Sequence, residues 1–156
     1  MEYRVLGKTG LKISRLGFGG IPIQRVDAAV TKELAKAMVE KGINYIDTAR
    51  GYTVSESYIG EALEGIRDKF VLATKSMART KEAMAADIET SLKNLRTDYI
   101  DLYQVHNATP EQIGQIVAEM DGEVMGIMPG VNQYTPCIWK NTYGKGRVFV
   151  TSIGHW

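Results

Sequence analysis

One cysteine, no surplus of either charge and no long hydrophobic run set the first bounds on this chain. Cys137 alone cannot form an intrachain disulfide, so a disulfide scaffold is excluded and a reducing cytoplasm is the expected compartment. A lone thiol of this kind is read as packed or idle, not as a nucleophile. With 19 basic and 18 acidic side chains, no basic stripe offers itself to a nucleic acid or an anionic membrane surface. No stretch reaches the roughly 18 apolar residues of a membrane span. The first residues, MEYRVLGKTG, lack the apolar segment of a signal peptide, and no metal site is read from the sequence.

What is present changes along the chain. Residues 109–156 hold only 7 of the charged side chains but 7 of the 16 glycines, which places a boundary near Asn107 to Pro110. Tyr3–Leu6 and Leu11–Ser14 flank Gly7-Lys8-Thr9-Gly10 as a β-hairpin would. The Gly-Lys-Thr is not a phosphate loop, because Glu2 stands where that motif needs its first glycine. Arg15 to Gly20 reads as a short strand ending in glycines, either bare backbone for a flat ligand or a turn needing positive φ.

Four apolar strands then alternate with three helical stretches. Asp27 caps a helix to Lys41 that stops at Gly42, with Val30, Leu34, Ala37 and Met38 as its expected core stripe. A second helix starts near Ser55 and carries Ile59, Leu63 and Ile66. A third, capped by Thr80, runs from Lys81 to Arg96 with Met84, Ile88, Leu92 and Leu95 inward. Between them lie strands ending at Asp47, at Thr74 and at Val105. This alternation is the signature of βαβ units on a parallel sheet. At 156 residues the chain suffices for one domain with a real core but not for a complete (β/α)8 barrel, which needs about 250 residues. The expected fold is therefore α/β, the first half of a (β/α)8 TIM barrel preceded by a β-hairpin. Thr109-Pro110-Glu111-Gln112 starts a fourth helix with Ile113, Ile116, Val117 and Met120 inward. Beyond Asp121 the rhythm fails. Val124 to Met128 is a candidate fifth strand, and Cys137–Tyr143 with Arg147–Ile153 reads as an irregular antiparallel hairpin tail.

Asp47, Tyr52, Lys75 and His106 each follow the carboxyl end of an apolar strand, and in a parallel barrel those ends share one mouth. Singly, each has an ordinary explanation as a cap, a packed ring, a solvated amine or a structural imidazole. Together they suit carbonyl reduction, which needs a proton at the oxygen as charge develops there. A phenol can give that proton, although its ordinary pKa near 10 makes it a weak acid. An ammonium beside it is expected to lower that pKa, a carboxylate to hold the ammonium, and an imidazole to orient the carbonyl.

The segments LGKTGLKISRLGFGG, IDTARGY, LATKS and DLYQVH resemble the aldo-keto reductases, particularly the bacterial type, over residues 1–108. The resemblance implies NADP(H)- or NAD(H)-dependent reduction of aldehydes or ketones. It implies Tyr52 as general acid, Lys75 and Asp47 tuning it, and His106 orienting the substrate, with Gly20, Ile21 and Asp47 on the nicotinamide side. Segments matching the second half of that family's barrel, which supplies most cofactor contacts, are not found. Residues 136–156, PCIWKNTYGKGRVFVTSIGHW, are instead similar to the end of trehalose-utilisation-type, glutamine-amidotransferase-like domains. Two functions stay open: a reductase whose chemistry needs a completed barrel, or a non-catalytic half-barrel scaffold or chimeric fragment binding no nicotinamide. Under either, open sheet edges predict a homo-oligomer.

Overall fold

The computed structural model describes residues 1–7, 9–109 and 112 in full, and strands at 123–129, 134–143 and 146–151 as backbone. β1 (Tyr3–Val5) and β2 (Lys12–Ser14) form the expected antiparallel hairpin, with Tyr3 opposite Ser14. Asn44 ties it to the rest of the chain, accepting from the Ser14 amide at 2.7 Å and donating to the Lys12 carbonyl at 2.9 Å.

Four strands follow in parallel and in sequence order: β3 (Gly17–Gly19), β4 (Tyr45–Asp47), β5 (Val71–Ser76) and β6 (Leu102–Val105). Parallel neighbours require crossovers, and these are α1 (Ala28–Lys41), α2 (Ser55–Ala62) and α3 (Lys81–Asn94). The signals that start α1 and α3 and stop α1 are those in the sequence; α2 has no side-chain cap and ends before the expected Ile66. Asp27 accepts from the Val30 amide, Thr80 from the Ala83 amide, and Gly42 ends α1 in the left-handed conformation at φ 70°. That conformation costs glycine nothing and disfavours side chains with a Cβ.

Strand alternation gives the sheet two different faces. Ile46, Leu72, Tyr103 and Val105 point towards the helices and join Ala35, Met38, Ile59, Leu63, Met84, Ile88 and Leu95 in the main core. The other face carries a small apolar patch of Ala73 and Leu102, packed against Tyr45 and Leu6 of the hairpin turn. Its polar members lie nearer the strands' carboxyl ends.

Of the expected stripe on α1, Met38 is buried as expected, but the rest is corrected. Thr31, Ala35 and Met38 are buried, whereas Val30 and Leu34 stay 44% and 36% exposed and Ala37 is also exposed. Small side chains at 31 and 35 let the helix approach the sheet closely and leave the larger pair uncovered.

At Thr109 the expected capping box is formed reciprocally. The Thr109 hydroxyl accepts from the Gln112 amide at 3.4 Å, and the Gln112 side chain accepts from the Thr109 amide at 3.0 Å. The body of that helix lies outside the described residues, as does His155. Beyond it, β7 (Glu123–Pro129), β8 (Tyr134–Tyr143) and β9 (Gly146–Thr151) make a three-stranded antiparallel sheet. The expected hairpin is β8–β9. The candidate fifth strand is β7, but it pairs with β8 instead of extending the parallel series. A short connection suffices for antiparallel pairing, whereas another parallel strand needs a crossover. β9 runs within 8 Å, Cα to Cα, of parts of β6 but belongs to the separate sheet. Cys137 lies in β8.

Candidate active site

Asp47 ends β4, and Lys75 stands on β5 at the same end of the sheet. Lys75 Nζ donates to Asp47 Oδ2 at 2.5 Å and to the Thr48 carbonyl at 2.7 Å. The ammonium is 5% exposed by residue, so these two acceptors replace most of its water. The loop after β4 is tied down on β5, with the Thr48 amide donating to Ala73 O at 2.9 Å and the Arg50 amide to Lys75 O at 2.8 Å. It then turns through Tyr52, whose own amide donates to Ala49 O at 3.0 Å. The half-buried Tyr52 ring lies beneath the Lys75 ammonium, 5.3 Å from Nζ to its centroid. His106, just past β6, meets the same ring edge-on at 5.8 Å between centroids. Asp47, Tyr52, Lys75 and His106 therefore converge in one place.

The electrostatics differ from expectation in one respect. The Tyr52 phenol is held above its ordinary pKa, first by burial and second by the negative charge of Asp47. The expected lowering by Lys75 is corrected accordingly. At 2.5 Å the carboxylate offsets the field of the ammonium, so burial and the Asp47 charge decide the direction at the phenol.

Gly20 directly follows β3, its amide donating to Asp47 O at 2.7 Å. Its φ is −78°, so no positive-φ turn demands glycine. A Cβ there would stand 3.0 Å from Thr48 Cβ, Thr48 Oγ1 and Ser55 Oγ. Close packing against its own chain is reason enough for a glycine there, whether or not a ligand also approaches it. Gly19 beside it has open space where a Cβ would stand, and Ile21 is 53% exposed.

Three further residues tie the site together, of which only Gln104 lies within one of the quoted segments, DLYQVH. Gln104, the register partner of Lys75, donates through Nε2 to Asp47 Oδ1 at 2.7 Å. The Arg79 guanidinium donates to the carbonyls of His106 at 2.7 Å and Asn107 at 3.1 Å, holding the turn where Asn107 takes φ 54°. Buried Glu56 accepts from Thr74 Oγ1 at 2.8 Å and Asn94 Nδ2 at 3.1 Å behind the sheet. Strand register brings the Gln104 contact into view, whereas those of Arg79 and Glu56 depend on the folded loops and α2.

Comparison with known proteins bears on the whole arrangement. The profile of the Aldo/keto reductase family matches residues 15–128. The chain belongs to that family. Aldo-keto reductase YhdN of Bacillus subtilis is 35% identical over 143 residues, covering 77% of this chain and 43% of the relative. L-galactose dehydrogenase of Arabidopsis thaliana is 36% identical over 135 residues, covering 76% and 42%. Among solved structures, the holo form of aldo-keto reductase AKR11C1 from Bacillus halodurans superposes with a TM-score of 0.71 at 33% identity, over 78% of this chain and 45% of that one. The chain thus spans less than half the length of these relatives. Its parallel βα series matches part of the fold of these reductases. Nothing in the comparisons supports the likeness of residues 136–156 to trehalose-utilisation-type domains.

Proposed function

We propose that this chain carries the proton-donating part of an aldehyde or ketone reductase. The observation that carries the proposal is the convergence of Asp47, Tyr52, Lys75 and His106 at the carboxyl ends of adjacent parallel strands. A reduced nicotinamide, when bound, supplies the hydride. Exposed Ile21 and open Gly19, next to Asp47, give the apolar, uncrowded surface that a flat ring requires, so the residues present fit its nicotinamide end. The remaining steps belong to the chain. His106 orients the carbonyl towards Tyr52, and the Tyr52 hydroxyl gives its proton to the oxygen as negative charge develops. The raised pKa keeps that proton in place at neutral pH. The charge left on the phenolate faces the Lys75 ammonium, which Asp47 and the Thr48 carbonyl keep in position.

The test is to add NADPH, then NADH, to the purified chain and follow cofactor fluorescence, then its consumption with a nitrobenzaldehyde. A fluorescence change at micromolar cofactor, with turnover lost in Tyr52→Phe, is expected. No binding up to millimolar cofactor would leave a non-catalytic scaffold as the function.

We further propose that residues 1–108 work as a half-barrel unit, with residues 109–156 as an appendage and not a separate domain, and that barrel completion comes from a second copy in the cytoplasm. Two features support self-association. The outer side of β3 has no strand neighbour among the described residues, and Leu16, Val30 and Leu34 are exposed. The opposite edge, β6, has β9 near it, so the free side of β3 is the favoured contact. Analytical ultracentrifugation giving a folded monomer at micromolar concentration would remove this proposal. No helix among the described residues is long and apolar enough to cross a membrane.

A further inference from the structure

Gln104 lies on the inner face of β6, two residues after Leu102 and two before His106. It is directly paired in register with Lys75. The two side chains rise from adjacent strands and reach the two oxygens of one carboxylate, Lys75 to Oδ2 at 2.5 Å and Gln104 to Oδ1 at 2.7 Å. To get there Gln104 must cross over β5. Fully buried Ala73, on the same face and paired with both Asp47 and Leu102, is small enough to leave that path open.

The chemistry of the contact narrows the role. A carboxylate only accepts, so the amide must present its NH₂. An arginine or lysine at 104 would compete with Lys75 for Asp47 and repel it. A carboxylate there would repel Asp47, and an apolar residue like neighbouring Leu102 would leave Oδ1 unmatched. A neutral donor alone fixes the carboxylate without altering the charge of the pair. The groups facing it are Asp47 and Tyr45 from β4, Tyr52 from the loop after β4, Lys75 from β5 and His106 beyond β6.

We propose that Gln104 is a positioning residue: its amide locks the Asp47 carboxylate so that Oδ2 stays committed to Lys75, and thereby fixes where the ammonium sits over Tyr52. It touches neither substrate nor cofactor and acts through Asp47. The kinetic part of its test rests on the reductase chemistry proposed above; the spectroscopic part does not.

The variants are Gln104→Leu, which removes the donor, and Gln104→Glu, which restores one only when the introduced carboxyl is protonated. Misplacing a catalytic group by about 1 Å can cost about 10²-fold in rate. We expect that loss in kcat for Gln104→Leu, with little change in KM and the same deficit at every pH. For Gln104→Glu we expect kcat to recover as pH falls. A residue that merely supports the fold would lower Tm in both variants and produce no such pH-dependent recovery. Independently of turnover, the hydrogen-bonded Lys75 ammonium should give a slowly exchanging signal in ¹⁵N-edited NMR, assigned by its loss in Lys75→Met. That signal should broaden in Gln104→Leu and, in Gln104→Glu, sharpen on acidification. An unchanged signal in Gln104→Leu, or none in the parent protein, overturns the proposal. If the parent protein turns over no carbonyl compound, the reductase function falls and the ammonium signal still decides the role of Gln104.

Discussion

His106 stands edge-on to Tyr52, with ring centroids 5.8 Å apart and planes at 84°. Edge-to-face packing holds a ring without using its hydroxyl. Tyr52→Phe should therefore keep the contact and remove only the proton donor. We expect kcat to fall by about 10²–10⁴, the usual contribution of a positioned acid. Stability should change by less than about 1 kcal/mol, as for substitutions that leave packing intact. Steady-state kinetics alongside urea melts check both. A variant with full activity would assign the proton to another group.

Lys75→Met removes the ammonium and leaves Asp47 with Gln104 as its remaining side-chain donor. Because the Asp47 side chain is partly open to solvent, the lost pair should cost about 1–3 kcal/mol, less than breaking a fully buried one. The field on Tyr52 also becomes more negative. Asp47 already raises its pKa, and without Lys75 that effect is no longer offset. The alkaline limb of kcat/KM should move to higher pH while the rate falls about a hundredfold. An alkaline limb that stays in place would show that the ammonium does not act on the phenol.

Much of this arrangement was legible in the chain itself. Asp47, Tyr52, Lys75 and His106 fall at strand ends that apolar runs mark clearly, and the Asp27, Thr80 and Thr109 caps are local signals needing no tertiary context. What was hidden depends on partners far away in sequence. Gln104 sits within DLYQVH, but its reach to Asp47 shows only once β6 is registered against β5. The α1 stripe departs from expectation because Thr31 and Ala35 permit closer approach than Val30 and Leu34 would. The acidity of Tyr52 depends on a 2.5 Å ion pair whose formation offsets the very charge that motif reasoning relied on. Gly60, which sets the distance between two helices, has no motif at all.

Gly60 lies buried in α2 where α3 ends. A Cβ there would stand 2.4 Å from Asn94 O, 2.6 Å from Leu95 C and 2.7 Å from Leu95 Cα. All three are backbone atoms, so no side chain can swing aside. Gly60→Ala must push the helices apart, loosening Leu95 and the Asn94 contact to Glu56. We expect a loss at the upper end of overpacking costs, about 3 kcal/mol or more. Gly51→Ala, with nothing within 4 Å of its Cβ position, serves as the control and should stay within about 0.5 kcal/mol. Equal urea midpoints for the two variants would show that α2 and α3 are not packed this closely.

Three phenols give the fold an alkaline limit. Burial is the leading cause in each case, holding Tyr45, Tyr52 and Tyr103 above their ordinary value, and Asp47 adds to the shift at Tyr45 and Tyr52. A raised pKa means that the folded chain keeps protons which the unfolded chain begins to lose near pH 10. Their contribution to stability is therefore complete below pH 10 and declines as pH rises through the folded values. Each phenol that ionises only on unfolding should steepen that decline by about 1.4 kcal/mol per pH unit. Urea melts between pH 9 and 11 should show stability falling beyond pH 10, with a slope smaller by about one proton in Tyr103→Phe than in the parent protein. Identical slopes would mean that the Tyr103 hydroxyl ionises as readily in the folded chain as in the unfolded one, contrary to its burial between α3 and the sheet.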